Sequence, residues 1–196
     1  MKQKHEDIVA AYLYIITRHG YPPQAADSLK HLVELKDLGY QSIELEGIRE
    51  EHLDGMYEMR EEIREKADAL GLKVPVFCIV LPGLCAADLR EREKNLVLFE
   101  KGCEVASTLG ASAVLDNAPI PPWQFPKGIP ITRHYDEEVL ATASISGDLH
   151  WPGYWDGLIE TFRQACDIAA GYKLNYQLHP CYGALVYSTD AYLLFA

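Results

Sequence analysis

One arrangement repeats four times along this chain: an amphipathic helical pattern, a glycine, and a short run of β-forming residues. The helical patterns cover residues 28–38, 56–70, 96–109 and 155–170, and the glycines that end them are Gly39, Gly71, Gly110 and Gly171. The runs that follow are SIELEG, VPVFCIVL, SAVLDN and LNYQLHP. Glycine suits the end of a helix because it adopts the left-handed conformation without a Cβ clash. Repeated units of this kind predict an α/β fold with parallel strands in sequential order.

The β-forming runs are almost continuously apolar rather than alternating, which is typical of parallel strands covered on both faces. A similar run, VAAYLYII, precedes the first helical pattern. It is compatible with a helix, but its short length, its aromatic residues and its adjacent isoleucines favour a first strand. The segment STDAYLLFA then begins a fifth helix after the last strand.

A parallel sheet of this order belongs either to an open, doubly wound fold or to a (β/α)8 barrel. The segment ITRHGYPPQ, which follows the first predicted strand, contains neither a G-x-G-x-x-G sequence nor a P-loop. Because dinucleotide-binding folds use such a loop to hold phosphate, this lowers the case for one. The barrel is the favoured fold.

The connection between the fourth strand and the fourth helix, residues 117–153, is unusually long. It is rich in proline and carries Trp123, His134 and His150. Connections longer than about 12–15 residues are uncommon and usually functional. A disordered surface insertion is the alternative. In a barrel this loop lies at the C-terminal face, where active sites form.

The formal net charge is −11, and no basic patch is visible in the sequence. Such a surface repels phosphate backbones and anionic lipids, which argues against nucleic-acid and membrane partners. The five cysteines form no C-x-x-C pair, which favours free thiols in a reducing compartment. No apolar run approaches the roughly 20 residues of a membrane span, and the N-terminal segment does not read as a signal peptide. We therefore expect a soluble, cytoplasmic protein.

Three segments carry a family resemblance: LKDLGYQSIELEG, FEKGCEVASTLGASAVL and YWDGLIETFRQACDIAAGYKLNYQLHP. In this order they resemble the second strand, the third helix with the fourth strand, and the fourth helix with the fifth strand of the xylose isomerase-like barrels. The resemblance implies a partial (β/α)8 TIM barrel, with the first five βα units forming one incomplete domain over residues 1–196. A closed barrel needs about 250 residues. We therefore expect a C-terminally truncated barrel with two open sheet edges that favour homo-oligomers or aggregation.

The resemblance also implies a function, because the family includes sugar phosphate isomerases and epimerases, inosose dehydratases and apurinic endonucleases. We expect an isomerase or epimerase that acts on a small polyhydroxylated, carbohydrate-like carbonyl compound by proton transfer through an enediolate. The alternatives are a dehydratase of the inosose dehydratase type and a non-catalytic sugar-binding barrel. The acidic charge weakens the endonuclease interpretation. We expect the 196-residue chain by itself to be inactive.

By the same resemblance, a divalent metal (Mn, Zn, Mg or Co) is held by carboxylates and a histidine at the ends of strands five to eight. The position that matches the strand-five glutamate is Gln177, and the other ligands would lie beyond Ala196. An amide oxygen binds a hard cation more weakly than a carboxylate and cancels no charge. We therefore expect Gln177 to be a weak metal ligand.

His179 and Glu44 are the candidate catalytic residues. His179 ends strand five two residues after Gln177, so alternation places both side chains on the same side. Histidine serves as acid, base or ligand near neutral pH. Glu44 and Glu46 share one side of strand two, and of these we interpret Glu44 as the site residue and Glu46 as a solvated loop residue. A purely structural role is the alternative for His179 and Glu44.

The candidate substrate-binding residues are Asp116, Asn117, Trp123 and His19. Asp116 and Asn117 end strand four, where short hydrogen-bonding groups suit a hydroxyl-rich substrate, although such residues also simply begin loops. Trp123 would stack on a sugar or wall the pocket, and His19 opens the first βα loop. We expect Gln177, His179, Glu44 and Asp116 to converge beneath the loop of residues 117–153. The histidines expected on the surface are His5, His31 and His52.

Overall fold

One parallel sheet forms the centre of the fold. A computed structural model describes residues 8–117, 119–126, 137–180 and 183–195. Its five strands are all parallel and follow the order β1-β2-β3-β4-β5. They are β1 (Val9–Ala10), β2 (Ser42–Ile48), β3 (Lys73–Val80), β4 (Ala113–Asn117) and β5 (Asn175–His179). This confirms the predicted α/β fold, a partial (β/α)8 barrel.

Helices connect the strands, as the repeats predict. They are α1 (Leu13–His19), α2 (Ser28–Asp37), α3 (Arg49–Glu58), α4 (Arg60–Leu70), α5 (Leu89–Leu109), α6 (Glu137–Leu140), α7 (Trp151–Gly171) and α8 (Thr189–Phe195). The second predicted helix is divided into α3 and α4, because the backbone at Met59 (φ −94°, ψ 0°) leaves the helical region. None of the helices in the described part of the chain is long and apolar enough to cross a membrane.

Three helices begin earlier than their apolar patterns predict, and one of them is α3, which begins at Arg49 rather than at residue 56. Helix α5 begins at Leu89, because the Asp88 side chain accepts a hydrogen bond of 2.8 Å from the backbone N–H of Arg90 and caps the first turn. Helix α7 begins at Trp151, inside the predicted loop of residues 117–153. The fixed φ of Pro152 suits a first turn, and the His150 ring accepts a hydrogen bond from the Gly153 N–H. The predicted loop is therefore shorter at its C-terminal end.

The run VAAYLYII is not the strand that its composition favours. Only Val9–Ala10 pairs with β2, and the second half of the run lies in α1. Ile15 and Ile16, adjacent on this helix, are both buried but pack into different apolar clusters. A short apolar run is compatible both with a buried strand and with a buried helix, so periodicity alone could not distinguish the two structures.

The glycine signals are confirmed at three of the four helix ends. Gly39, Gly71 and Gly110 have positive φ angles of 97°, 64° and 75°. Gly171 instead remains inside α7, and Lys173 takes the positive φ of 60° two residues later. A helix end can therefore be misplaced when a non-glycine residue accepts the left-handed conformation.

The two faces of the sheet bury different side chains. The larger apolar cluster lies between the sheet and the helices, and includes Phe77 and Ile79 of β3. A smaller cluster covers the opposite face and consists of Tyr12, Ile16, Ile48, Cys78 and Val80. We call this second side the inner face, since it corresponds to the inside of a barrel. Residues two apart on a strand share a face, so β3 alternates between the two clusters from Phe77 to Val80.

The strand register extends the inner face across the sheet. Glu46 pairs with Cys78, Cys78 with Leu115, and Leu115 with Gln177. Residues in register on neighbouring parallel strands point to the same face. One row of inner-face residues therefore runs from β2 to β5, with Glu46 at one end and Gln177 at the other.

We expect Gly102→Ala to destabilise the fold and Gly171→Ala to stabilise it. A Cβ on Gly102 would lie 2.7 Å from Cδ1 of the buried Ile79, where overpacking typically costs about 1–3 kcal/mol. A Cβ on Gly171 would meet no atom within 4 Å, and the loss of chain flexibility should add roughly 0.4–1 kcal/mol. Urea unfolding gives both free energies. A Gly102→Ala variant as stable as the native chain would contradict the packing between α5 and β3.

Candidate active site

The polar residues of the inner face lie toward the carboxyl ends of β2, β4 and β5. Gln177 and His179 come from β5, and Asn117 at the end of β4 is in register with His179. Gln177 and His179 are both exposed and line an open cavity of about 890 Å³ together with Leu115. Tyr187, Tyr192 and Leu193, which follow β5 in the chain, form another wall of the cavity. The structure therefore brings Gln177 and His179 together, and their roles in binding or catalysis remain predictions.

Glu44 is held by the start of α1. Its Oε2 accepts a hydrogen bond of 3.1 Å from the backbone N–H of Tyr12 and lies 3.9 Å from the Cys78 Sγ. Both partners belong to the inner-face cluster, so Glu44 also points to this face. A carboxylate anchored in this way cannot swing freely, and Glu44 thus ties β2 to the segment that follows β1.

Glu46 is buried, which differs from the solvated position predicted for it. Its exposed fraction is 3%, because β2 continues to Ile48 and keeps Glu46 inside the sheet. Its Oε2 has no hydrogen-bond partner within the described residues. Burial, and secondarily the negative charge of Glu44, raises the pKa of Glu46 to about 8. A pKa of about 8 keeps Glu46 mostly protonated at pH 7.

Asp116 points away from the other candidates, so the prediction that it converges with them is wrong. The Tyr176 hydroxyl donates a hydrogen bond of 3.2 Å to Asp116 Oδ2. The Tyr176 ring packs on Phe99 of α5 and Phe162 of α7, at centroid distances of 5.2 Å and 6.3 Å. Asp116 thus faces the helices, since it alternates with Leu115 of the inner face. Burial raises its pKa to about 8, although hydrogen bonds from Tyr176 and from the Asn117 backbone oppose the rise.

His19 and Trp123 take part in contacts away from β5. The His19 Nε2 lies 2.9 Å from Glu34 Oε2, and its ring stacks on His31 with centroids 4.4 Å apart. Trp123 is half-buried in the long loop and meets the Phe125 ring edge-on at 6.3 Å. No contact within the described residues connects either side chain to Gln177 or His179.

Two of the histidines expected on the surface are buried, and the third, His5, lies outside the described residues. His31 is covered by the stacked ring of His19. The His52 Nδ1 accepts a hydrogen bond of 3.1 Å from the backbone N–H of Ile48, and burial lowers the pKa of His52 to about 4. Sequence reasoning missed the burial of His52, because α3 begins at Arg49 rather than at residue 56 and so turns His52 toward the core.

The described residues do not by themselves form a metal centre. No group of three or more histidine, cysteine, aspartate or glutamate side chains able to hold a metal ion occurs within residues 8–117, 119–126, 137–180 and 183–195. Toward the carboxyl end of β5, the donors on the inner face are one amide, from Gln177, and one imidazole, from His179. Such a pair offers a hard cation no charge neutralisation.

Comparison with known families identifies the fold. Residues 32–193 match the family model described as the xylose isomerase-like TIM barrel. The chain belongs to this family. No match to a functionally curated protein was found.

Several solved structures share the fold at low sequence identity. A D-allulose 3-epimerase from Methylomonas sp., in complex with D-allulose, superposes with a TM-score of 0.59 at 15% identity, covering 88% of this chain and 52% of that one. D-psicose 3-epimerase from Clostridium cellulolyticum H10, with D-tagatose, gives 0.55 at 12% identity, covering 86% and 50%. A 3-keto-D-glucoside 4-epimerase from E. coli gives 0.55 at 18% identity, covering 81% and 52%. The chain thus spans about half the length of these structures.

We expect Asp116→Asn to change how stability depends on pH. The pKa of Asp116 is about 8 in the folded chain, against an ordinary value of 3.8 in the unfolded chain. Between these two values the folded chain keeps the Asp116 proton, and unfolding releases it. Between about pH 4 and pH 8, this lowers the free energy of unfolding by about 1.4 kcal/mol per pH unit, with no further loss above pH 8. The variant carries no titratable proton at this position, so its free energy of unfolding should not fall in this way. The difference in free energy of unfolding between Asp116→Asn and the native chain should therefore grow from pH 5 to pH 8.

Urea unfolding across this pH range measures the effect. Asp167→Asn, at an exposed position of α7, is the matched control and should keep the native profile. Parallel pH profiles for Asp116→Asn and the native chain would show that Asp116 is ionised in the folded state.

Proposed function

We propose that the chain contributes to the site of a sugar isomerase or epimerase that acts on a small keto sugar or sugar phosphate. The observation that carries this proposal is the pair Gln177 and His179, exposed on the inner face and lining a cavity of about 890 Å³ at the end of β5. In parallel α/β folds, ligands bind at the carboxyl ends of the strands. Related structures contain D-allulose and D-tagatose, which supports a carbohydrate ligand.

The residues suit proton transfer next to a carbonyl group. His179 would accept the proton from the carbon beside the carbonyl and deliver it to the former carbonyl carbon, which gives the isomer. An epimer forms when a second group delivers a proton to the opposite face of the carbon that lost it. Asn117, in register with His179, would orient a sugar hydroxyl through its side-chain amide. Glu44 supplies a fixed carboxylate on the same face, held by the Tyr12 N–H. Together these groups support an enediolate route in which the protein binds the substrate and moves one proton.

The family resemblance implies a divalent metal, but the described residues do not complete a site for one. Gln177 would supply one amide oxygen. No step of the proposed reaction is therefore assigned to a metal.

Gln177 also favours a second candidate function, a barrel that binds a sugar without turning it over. An amide at this position retains hydrogen bonds to hydroxyl groups but has no charge to stabilise a bound cation. Such a protein would keep affinity for the sugar while lacking isomerase activity.

We expect His179→Ala to weaken binding of D-allulose or D-fructose by about tenfold, as one hydrogen-bonding group is lost from the cavity. NMR titration of the 196-residue chain measures the dissociation constant. Asn175→Ala is the matched control, since Asn175 lies on the same face of β5, roughly 13 Å toward its other end. Equal binding by all three proteins would exclude His179 from the site, and no binding by the native chain would exclude the proposed function.

We expect the 196-residue chain to bind Mn²⁺ or Zn²⁺ weakly and to show negligible isomerase activity. The reason is that Gln177 offers a neutral ligand where the family resemblance implies a carboxylate. Isothermal titration calorimetry measures metal binding, and chromatography of D-fructose incubated with the chain detects D-allulose. Gln177→Glu alone should not create activity. Stoichiometric binding in the micromolar range by the native chain would contradict this prediction.

A further inference from the structure

Glu46 is a buried polar side chain of the inner face that the proposed reaction leaves unused. Its exposed fraction is 3%, and its Oε2 finds no hydrogen-bond partner in the described part of the chain. A buried polar atom without a partner costs about 1–3 kcal/mol. Native structures pair nearly all such atoms, so an unpaired oxygen calls for a bound group to complete it.

Glu46 shares the inner face of the sheet with the cavity at β5, although it is not part of the cavity lining. Glu46 begins the inner-face row that continues through Cys78 and Leu115 to Gln177. Leu115 and Gln177 line the cavity, so the row that starts at the unpaired oxygen ends in open space. Cys78 and Leu115, which lie between, give the row an apolar middle.

The two carboxyl groups of β2 differ in what holds them. Glu44 has a hydrogen bond from the Tyr12 N–H, whereas Glu46 has an unpaired oxygen. Two titratable side chains that act on Glu46 are Glu44, two residues earlier, and Cys78, opposite in the register. Neither carries a positive charge that would draw Glu46 into its ionised form.

We propose that Glu46 contacts the substrate, with Oε2 as the atom that exchanges a hydrogen bond with a carbonyl or hydroxyl oxygen of a keto sugar on the inner face. The inference rests on the proposed function, since it names a further binding residue of the same site. A neutral carboxylic acid both donates and accepts a hydrogen bond, which matches the paired donors and acceptors of a polyol. A neutral sugar also brings no charge into the apolar interior, where an unpaired charge would cost free energy through desolvation.

The test compares two substitutions at this position, with D-allulose as the probe. Glu46→Leu removes the polar atoms with similar volume, and we expect it to weaken D-allulose binding by about tenfold while keeping or raising stability in urea. Glu46→Gln retains a donor and an acceptor, so its affinity should stay within about threefold of the native value. Glu51→Gln, at an exposed position at the start of α3, is the matched control and should leave binding and stability unchanged.

The outcomes separate this inference from the function on which it rests. Native affinity in a folded Glu46→Leu variant would overturn the role of Glu46 while leaving sugar binding at His179 intact. Absence of D-allulose and D-fructose binding by the native chain would overturn both. If Glu46→Leu fails to fold, the pH profile decides: native binding should weaken above about pH 8, where Glu46 ionises, and Glu46→Gln binding should not. Identical profiles for these two proteins would overturn the inference.

Discussion

The parallel register of β2, β3, β4 and β5 is the constraint on which the rest of the structure depends. Because strand side chains alternate, the register decides which residues meet the helices and which meet the inner face. On β3 it sends Phe77 and Ile79 to the helices and Cys78 and Val80 inward. A slip of one residue would exchange these sets and bury the polar ends of β5 under α7. The candidate site therefore exists only in one register.

Much of this fold could be predicted from the sequence, because its signals are local. The strands β2 to β5 follow from apolar runs, and the ends of α4 and α5 from Gly71 and Gly110. The failures occur where two structures share one pattern. VAAYLYII is short enough to satisfy both a strand and a helix, and the break at Met59 carries no proline or glycine to mark it.

The candidate site was less predictable, because it depends on relations between strands. Alternation within β5 was enough to place Gln177 and His179 on one face. Alternation could not predict which face of β4 carries Asp116. It tells which residues of one strand share a face, but it does not tell which residues of neighbouring strands lie opposite each other. The burial of Glu46 depends on where β2 ends, and its unpaired oxygen depends on side chains from distant parts of the chain.

The two outer strands of the sheet differ in length, so the two edges of the sheet are not equivalent. β1 pairs through only Val9–Ala10, whereas β5 presents five residues whose second side has no strand partner within the described residues. Backbone groups available for pairing therefore lie almost entirely on one side of the sheet. The first strand is therefore held by few backbone bonds, and the hydrogen bond from the Tyr12 N–H to Glu44 adds a side-chain anchor on this side of the sheet.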